Sequence, residues 1–345
     1  MSDRKSLPPK ILTMADIARL AQVSESTVSR ALRNNPLINE KTRQKVQQIA
    51  RDHNYRINES ARNLRLRKSH TIAVIMLLDS KSGQAISDPF LLDLLGNIAD
   101  ELAKHGYDLL LSAPRAPGDD WDLSYLESKR FDGMIIIGEG EYGKNIDMLA
   151  NSRKPFVVWG GTTSPERKYS NVCSDNKKGA WLAVRHLIDT GHRDIIFLGN
   201  SGHPEIEQRL EGYKQALAEA DIPFNRKLLI PTAFTSRKGY EKIRDILLEK
   251  KTSFDAIFTV SDAIAMGAIK QLVEKGLRVP EDIAVSGYDD IPAAAFFTPS
   301  LTTVRQDTTE AGHHLVNCLM DQMAGKAAKS VILNAELVIR QSSGG

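Results

Sequence analysis

Along the first seventy residues apolar positions recur in short bursts at helical spacing, whereas from Thr71 onward they come in unbroken runs separated by amphipathic stretches. The first burst is Thr13-Met14-Ala15-Asp16-Ile17-Ala18-Arg19-Leu20-Ala21; Gln22-Val23 interrupts it, and Ser24-Glu25-Ser26-Thr27-Val28-Ser29-Arg30-Ala31-Leu32 restarts it. Thr13 and Ser24 stand where each helix needs a side-chain oxygen to take an orphan N–H. Ile17, Ala18, Ala21, Val23, Val28 and Leu32 then share one small core, which turns Glu25, Ser26, Ser29, Arg30 and Arg33 outward. Arg33-Asn34-Asn35-Pro36 breaks the period, and Asn39 caps a third helix carrying Val46, Ile49 and Ala50 that ends near His53-Asn54-Tyr55. Two short helices across a tight turn, backed by a third, make the helix-turn-helix pattern. Short polar groups and guanidinium forks on its outward face suit phosphates and base edges.

Asn58 to Ser69 reads as one or two basic helical turns leading into the first strand. Ala61 and Leu64 form an apolar ridge there with nothing local to bury it. Paired with its copy in a dimer and laid in a minor groove, the ridge gains a use, because Leu64 can wedge between base steps.

Ile72 to Leu78, Tyr107 to Leu111, Met134 to Ile137 and Phe156 to Trp159 read as strands buried on both faces. Helices are expected at Leu91 to His105 and near 120–129 and 145–151. The alternation then repeats, with helices at 176–190, 205–220, 237–250, 262–275 and 308–324. Its strands are Ile195 to Leu198, Ala256 to Val260 and Ile283 to Ser286, with a return segment from Pro299 to Val304. Helix-to-strand junctions at Gly106, Gly191 and Gly276 place glycine where a helix ends. This is an α/β texture with parallel strands, long enough for two sheets.

Charge sharpens the division. The net charge of the 345 residues is only +3, yet residues 1–70 hold 15 Lys+Arg against 6 Asp+Glu, while residues 71–345 hold 31 against 37. A basic headpiece on a mildly acidic body is the footprint of a nucleic-acid-binding module joined to something else. Cys173 and Cys318 share no metal-ligand spacing and suit a reducing cytoplasm. The N-terminus has no apolar secretory core, and every apolar run falls well short of the ~20 residues that span a bilayer, so a cytoplasmic protein with no membrane partner is expected. Gly138-Glu139-Gly140-Glu141-Tyr142-Gly143 matches a dinucleotide fingerprint in form only, since two glutamates would face the pyrophosphate. No Walker loop, nucleophile elbow, zinc-site spacing or paired cysteine motif occurs, and His313-His314 lies within a helix. Neither enzyme chemistry, a metal nor a cofactor is expected.

The N-terminal segments resemble the lactose/galactose-repressor (LacI/GalR) family of transcription regulators. The matching residues are Thr13-Met14-Ala15-Asp16-Ile17-Ala18, Val23-Ser24-Glu25-Ser26-Thr27-Val28-Ser29-Arg30, Thr42-Arg43, and Asn54-Tyr55 through Asn58 and Ala61 to Leu64. The resemblance implies a second helix in the major groove and a hinge helix in the minor groove. It makes Arg30 a base-reading arginine, Leu64 an intercalating leucine, and Glu25 and Ser26 the positions that vary with operator sequence. An acid facing DNA is tolerable where it accepts from a cytosine amino group, so Glu25 is a specificity candidate. The DNA-contacting set is Thr13, Ser24, Glu25, Ser26, Thr27, Ser29, Arg30, Asn58, Ala61, Leu64 and Arg65.

The resemblance extends over the whole chain. It implies a helix-turn-helix headpiece at 1–57, a hinge helix and linker at 58–70, and a two-lobed body like periplasmic binding proteins at 71–345. Crossovers near 171, 304 and 333 would give a first lobe of 71–171 and 304–333 and a second of 172–303 and 334–345.

In open α/β sheets ligands sit beyond the carboxyl ends of the strands. Asp88-Pro89-Phe90, Arg209, Ser261-Asp262 and Gly287-Tyr288-Asp289-Asp290 fall at such places, with Trp159 and Phe234 as ring faces. Singly, Asp262 and Asp290 read equally as helix caps, Phe90 as core and Arg209 as half of an ion pair. Asp88, Phe90, Trp159, Arg209, Phe234, Ser261, Asp262 and Asp289 are the effector-binding candidates and suit a polyhydroxylated ligand, and resemblance to the family's effector site favours Arg209, Asp289 and Phe234 among them. Ser261 stands where some members have asparagine, and Gly160 where some have aspartate. The expected protein is a homodimeric regulator on a pseudopalindromic double-stranded operator, repressing carbohydrate catabolism until a sugar releases it. Alternatives are a corepressor reading, with a purine or sugar phosphate tightening DNA binding, and a sugar-binding protein without DNA function. Arg209 is the main cation expected near the cleft, which favours a neutral sugar.

Overall fold

The computed structural model describes residues 13–55, 68–78, 83–113, 130–139, 142–151, 154–161, 168–200, 202–327 and 329–344. The chain forms two compact units that meet in sequence between Lys68 and Ser69. The hinge residues Asn58, Ala61, Leu64 and Arg65, and the helix expected near 120–129, lie outside the described residues.

The N-terminal unit is three helices, α1 (Met14–Ala21), α2 (Glu25–Leu32) and α3 (Glu40–Asp52). Each begins at the cap its sequence supplies. Thr13 Oγ1 accepts from the Asp16 amide at 3.3 Å while the Asp16 carboxylate takes the Thr13 amide at 3.0 Å, a reciprocal capping box. Ser24 Oγ accepts from the Thr27 amide at 3.2 Å, and Asn39 Oδ1 from that of Lys41 at 2.9 Å. Ile17, Val28, Ala31 and Val46 are wholly buried between the three helices, with Val23, Leu32 and Ile49 packed around them.

The body's first sheet contains β1 (Thr71–Met76), β2 (Asp108–Ser112), β3 (Gly133–Ile137), β4 (Phe156–Trp159) and β5 (Ser170–Ser174). Helix α4 (Pro89–Lys104) links β1 to β2, and α5 (Gly143–Ala150) links β3 to β4. The chain then builds α6 (Asn176–Asp189), β6 (Ile195–Leu198), α7 (Pro204–Glu219) and β7 (Leu229–Ile230). Next come α8 (Ser236–Glu249), β8 (Ala256–Thr259), α9 (Asp262–Glu274), β9 (Ala284–Asp289) and α10 (Pro292–Phe296). The last elements are β10 (Thr302–Arg305), α11 (Thr308–Met323), β11 (Val331–Leu333) and β12 (Glu336–Val338).

The first sheet has the order β11-β5-β4-β3-β1-β2 and is parallel throughout. The second has the order β12-β10-β9-β8-β6-β7, with only β12 antiparallel. Central strands such as β3 and β8 are buried at every position because helices cover both faces, hence their unbroken apolar runs. The helix pairs α6–α7 and α8–α9 pack backbone to backbone. A Cβ on Gly212 would stand 2.1 Å from the Lys177 carbonyl oxygen, and one on Gly267 only 1.8 Å from that of Ser236.

The chain crosses between lobes three times: after Ser174, after Arg305 and after Leu333. The expected positions near 171 and 304 compare with strand ends at Ser174 and Arg305. Val172 to Ser174 still pair with β11 in the first sheet, and Val304 and Arg305 still pair with β9 in the second. Each of these two crossings ends at an aspartate helix cap, Asp175 for α6 and Asp307 for α11, and the strand persists up to it.

Candidate functional site

In the N-terminal unit α2 presents Glu25, Ser26, Arg30 and Arg33 to solvent. Ser24 is also exposed, but its hydroxyl is held in the cap, 2.8 Å from Ser26 Oγ and 2.9 Å from Thr27 Oγ1. Arg33 folds back on Ser29, donating Nε to its carbonyl at 3.0 Å and a terminal N–H to its hydroxyl. Among the described residues of this face Arg30 is the guanidinium left exposed to solvent, where a fork can reach a guanine edge. Thr13 sits at the exposed start of α1.

In the body a cleft lies at the carboxyl ends of both sheets. The first lobe contributes Asp88, Phe90 and Trp159; the second contributes Arg209, Phe234, Ser261 and Asp289. Asp88 caps α4, accepting from the Phe90 and Leu91 amides at 3.0 and 3.3 Å, and burial pushes its carboxyl pKa up. The Phe90 and Trp159 rings lie 6.2 Å apart as an apolar wall. Phe234 meets the edge of His203, also in the lining, at 6.1 Å.

Arg209, only 5 % exposed, is fixed by three neighbours. Its Nε donates to Asn176 Oδ1 at 2.9 Å, its Nη1 to the Val260 carbonyl, and its guanidinium lies 3.6 Å from the Tyr288 ring centre. Such a fork keeps its remaining N–H groups aimed and needs no reordering when a ligand arrives. Asp289 closes β9 at a φ of +116°, a conformation that L residues rarely adopt. Its Oδ1 accepts from Gln306 Nε2 at 2.8 Å. Burial drives its carboxyl well above the usual range; Arg209 opposes this, while Asp262 and Asp88 add to it.

Two expected features take other places. Asp262 does not line the cleft; it is fully buried beneath it, held by the Thr303 hydroxyl and by the Ile291 amide at 2.9 Å. Ser261, not Asp262, caps α9, so the aspartate begins the helix and turns into the space that Gly287 leaves by having no Cβ. Asp290 caps nothing, because Arg305 and Arg340 take its two oxygens at 2.8 and 2.7 Å. The cleft also recruits Ser174, Asn176, Glu205 and Gln306, which the sequence reading passed over. Ser174 ends β5, which the apolar pattern does not announce, and Gln306 stands just beyond β10, where the strand-end rule applies directly.

Among the described residues no helix is long and apolar enough to cross a membrane, and no group of acidic, histidine or cysteine side chains has a metal-holding arrangement. Residues 13–58 match the family described as bacterial regulatory proteins, lacI family, and residues 184–343 match the periplasmic binding protein-like domain. The HTH-type transcriptional regulator MalR of Clostridium butyricum is 33% identical over 344 residues, covering 96% of this chain and 99% of its own. Among solved structures, the complex of transcriptional regulator CelR with cellobiose is 28% identical at a TM-score of 0.72, over 96% of this chain and 99% of that one. The lac repressor dimer bound to operator and an anti-inducer is 25% identical at a TM-score of 0.85, over 97% and 99%.

Proposed function

The chain belongs to the LacI family of bacterial regulatory proteins, and from that premise we propose that it represses carbohydrate-catabolism genes as a cytoplasmic homodimer released from its operator by a sugar. The exposed face of α2 supplies the DNA contacts. Arg30 reads a guanine with its fork, and Glu25 accepts from a cytosine amino group. One headpiece reads one half-site, so a second copy related by a twofold axis supplies the other.

The observation that carries the ligand reading is a cleft whose polar and aromatic groups come from both lobes at once. Asp88, Phe90 and Trp159 face the ligand from one side, and Arg209, Phe234 and Asp289 from the other. A sugar fits such a lining, its hydroxyls paired with charged groups and its C–H face set on rings. Because it touches both lobes, it binds one lobe angle better than another, and only such differential affinity shifts an equilibrium. Coupling of about 1–3 kcal/mol changes operator affinity roughly 5–150-fold. The test is a thermal-shift screen of the full chain against sugars, sugar phosphates and nucleobases, followed by a gel shift with any hit. A neutral sugar that raises the melting temperature and releases operator DNA supports the proposal. A hit that tightens DNA binding instead replaces it with corepression.

A further inference from the structure

Gly179, in the first turn of α6, is buried where the three connections between the lobes come together. A Cβ there would stand 2.9 Å from Val304 Cγ1 and 3.0 Å from Ala335 Cβ, and it would collide with the Tyr288 hydroxyl. Each connection supplies one of these groups. Gly179 follows the crossing after Ser174, Val304 precedes the one after Arg305, and Ala335 follows the one after Leu333. Tyr288, Val304 and Ala335 are all buried at this joint. Two of the connections are also bonded to each other: the Asp175 amide donates to the Leu333 carbonyl at 2.9 Å, and Lys178 Nζ to Asn334 Oδ1 at 2.8 Å.

Tyr288 ties this joint to the cleft without lining it. Its ring lies 3.6 Å from the Arg209 guanidinium, and its hydroxyl end reaches Gly179. The hydroxyl is sealed from solvent and has no hydrogen-bond partner, so contact and not bonding sets its place. The missing Cβ at 179 is what leaves it room. Packed interiors respond to a push by switching between discrete arrangements, not by stretching.

We propose that the Tyr288–Gly179 contact is the pivot between the lobes, where the Tyr288 ring passes a displacement of Arg209 to all three crossings at once. Tyr288 is then a positioning residue, acting on the ligand through Arg209 and on the lobe angle through Gly179. The proposal rests on a ligand changing the lobe angle, and not on which ligand does so. Its test reads the lobe arrangement of the ligand-free full chain. Spin labels are placed at Met148→Cys in the first lobe and Leu248→Cys in the second, both exposed positions, while Cys173 and Cys318 are buried. Pulsed electron resonance on labelled protein diluted with unlabelled copies gives the distance between them. Gly179→Ala should move the mean distance by about 2 Å or more, the scale of a domain rearrangement. Tyr288→Phe removes only an unpaired hydroxyl, so alone it should leave the distance and the melting temperature unchanged. Added to Gly179→Ala, it should recover at least about half of the shift, a coupling that general loss of stability does not produce. Arg209→Lys takes the planar guanidinium off the ring and should also move the distance. Val304→Ala opens the joint without a new clash and should broaden the distance distribution, a measurement that stands even where Gly179→Ala fails to fold. A distance unmoved in Gly179→Ala, no recovery with Tyr288→Phe, or no response to Arg209→Lys overturns the assignment. So does an unchanged distribution in Val304→Ala. Failure of ribose, maltose and cellobiose to bind would count against the sugar reading and leave these distances as they are.

Discussion

Replacing Arg209 by lysine keeps the charge of the cleft and removes its geometry, which makes the exchange a direct test of how the site works. The guanidinium donates to Asn176 Oδ1 and to the Val260 carbonyl and stacks on Tyr288. A hydrogen bond from a charged donor contributes about 1.5–3 kcal/mol, and a lysine ammonium on a shorter reach retains at most one of the two. The net loss is therefore roughly 2–3 kcal/mol, or ~30–150-fold in ligand affinity where it falls on binding. The headpiece is a separate compact unit with its own core, so its DNA-facing residues are left in place by the exchange. Arg209→Lys is thus expected to hold operator DNA in a gel shift at sugar concentrations that release the wild type. Isothermal titration gives the sugar affinity, and thermal unfolding shows how much of the loss falls on the fold instead. A variant with sugar affinity within about threefold of wild type and an unchanged melting temperature would refute the argument that Arg209 works through its fixed fork.

Arg30→Ala should abolish operator binding in a gel shift while titration shows sugar affinity intact, since a bidentate base contact carries about 1–3 kcal/mol per half-site; loss of both would refute the division of labour. Gly267→Ala forces a Cβ to within 1.8 Å of the Ser236 carbonyl oxygen, so α8 and α9 must separate, and the melting temperature should fall by an amount matching about 1–3 kcal/mol. Burial holds the Asp262 carboxyl up at about 7, against an ordinary 3.8, so its contribution to stability is full below 3.8 and disappears as pH rises through 7. Wild-type protein should therefore lose stability relative to Asp262→Asn between those two pH values, and parallel melting curves would show that the carboxyl does not titrate there.

What the sequence made legible were the features set by neighbours in the chain. Thr13, Ser24 and Asn39 announce helix starts because a capping oxygen acts within three residues. Doubly covered strands announce themselves by having no polar position to interrupt them. The missed features depend on partners far along the chain. Asp262 looks like a ligand contact until Thr303, forty-one residues later, is seen to hold it. Asn171-Val172-Cys173-Ser174 is too polar to read as a strand, yet it pairs between β4 and β11. With that strand unplaced, Ser174 could not be recognised as a strand-end residue.

The two residues that hold Arg209 and Asp289 are themselves attached to the crossings. Asn176, which takes the Arg209 Nε, is the first helical residue after the Ser174 crossing. Gln306, which donates to Asp289, lies between β10 and α11 on the second crossing. A ligand that draws on the Arg209 fork or on Asp289 therefore acts on groups bonded to two of the three connections between the lobes. Asp289 meets this demand from a strained backbone, at a φ of +116°, which persists because its surroundings over-determine it. A change at either group is thus relayed by one hydrogen bond to a residue beside a crossing between the lobes. A hydrophobic ligand filling the same volume against Phe90 and Trp159 would touch neither relay, and so would bind without moving the equilibrium between lobe arrangements.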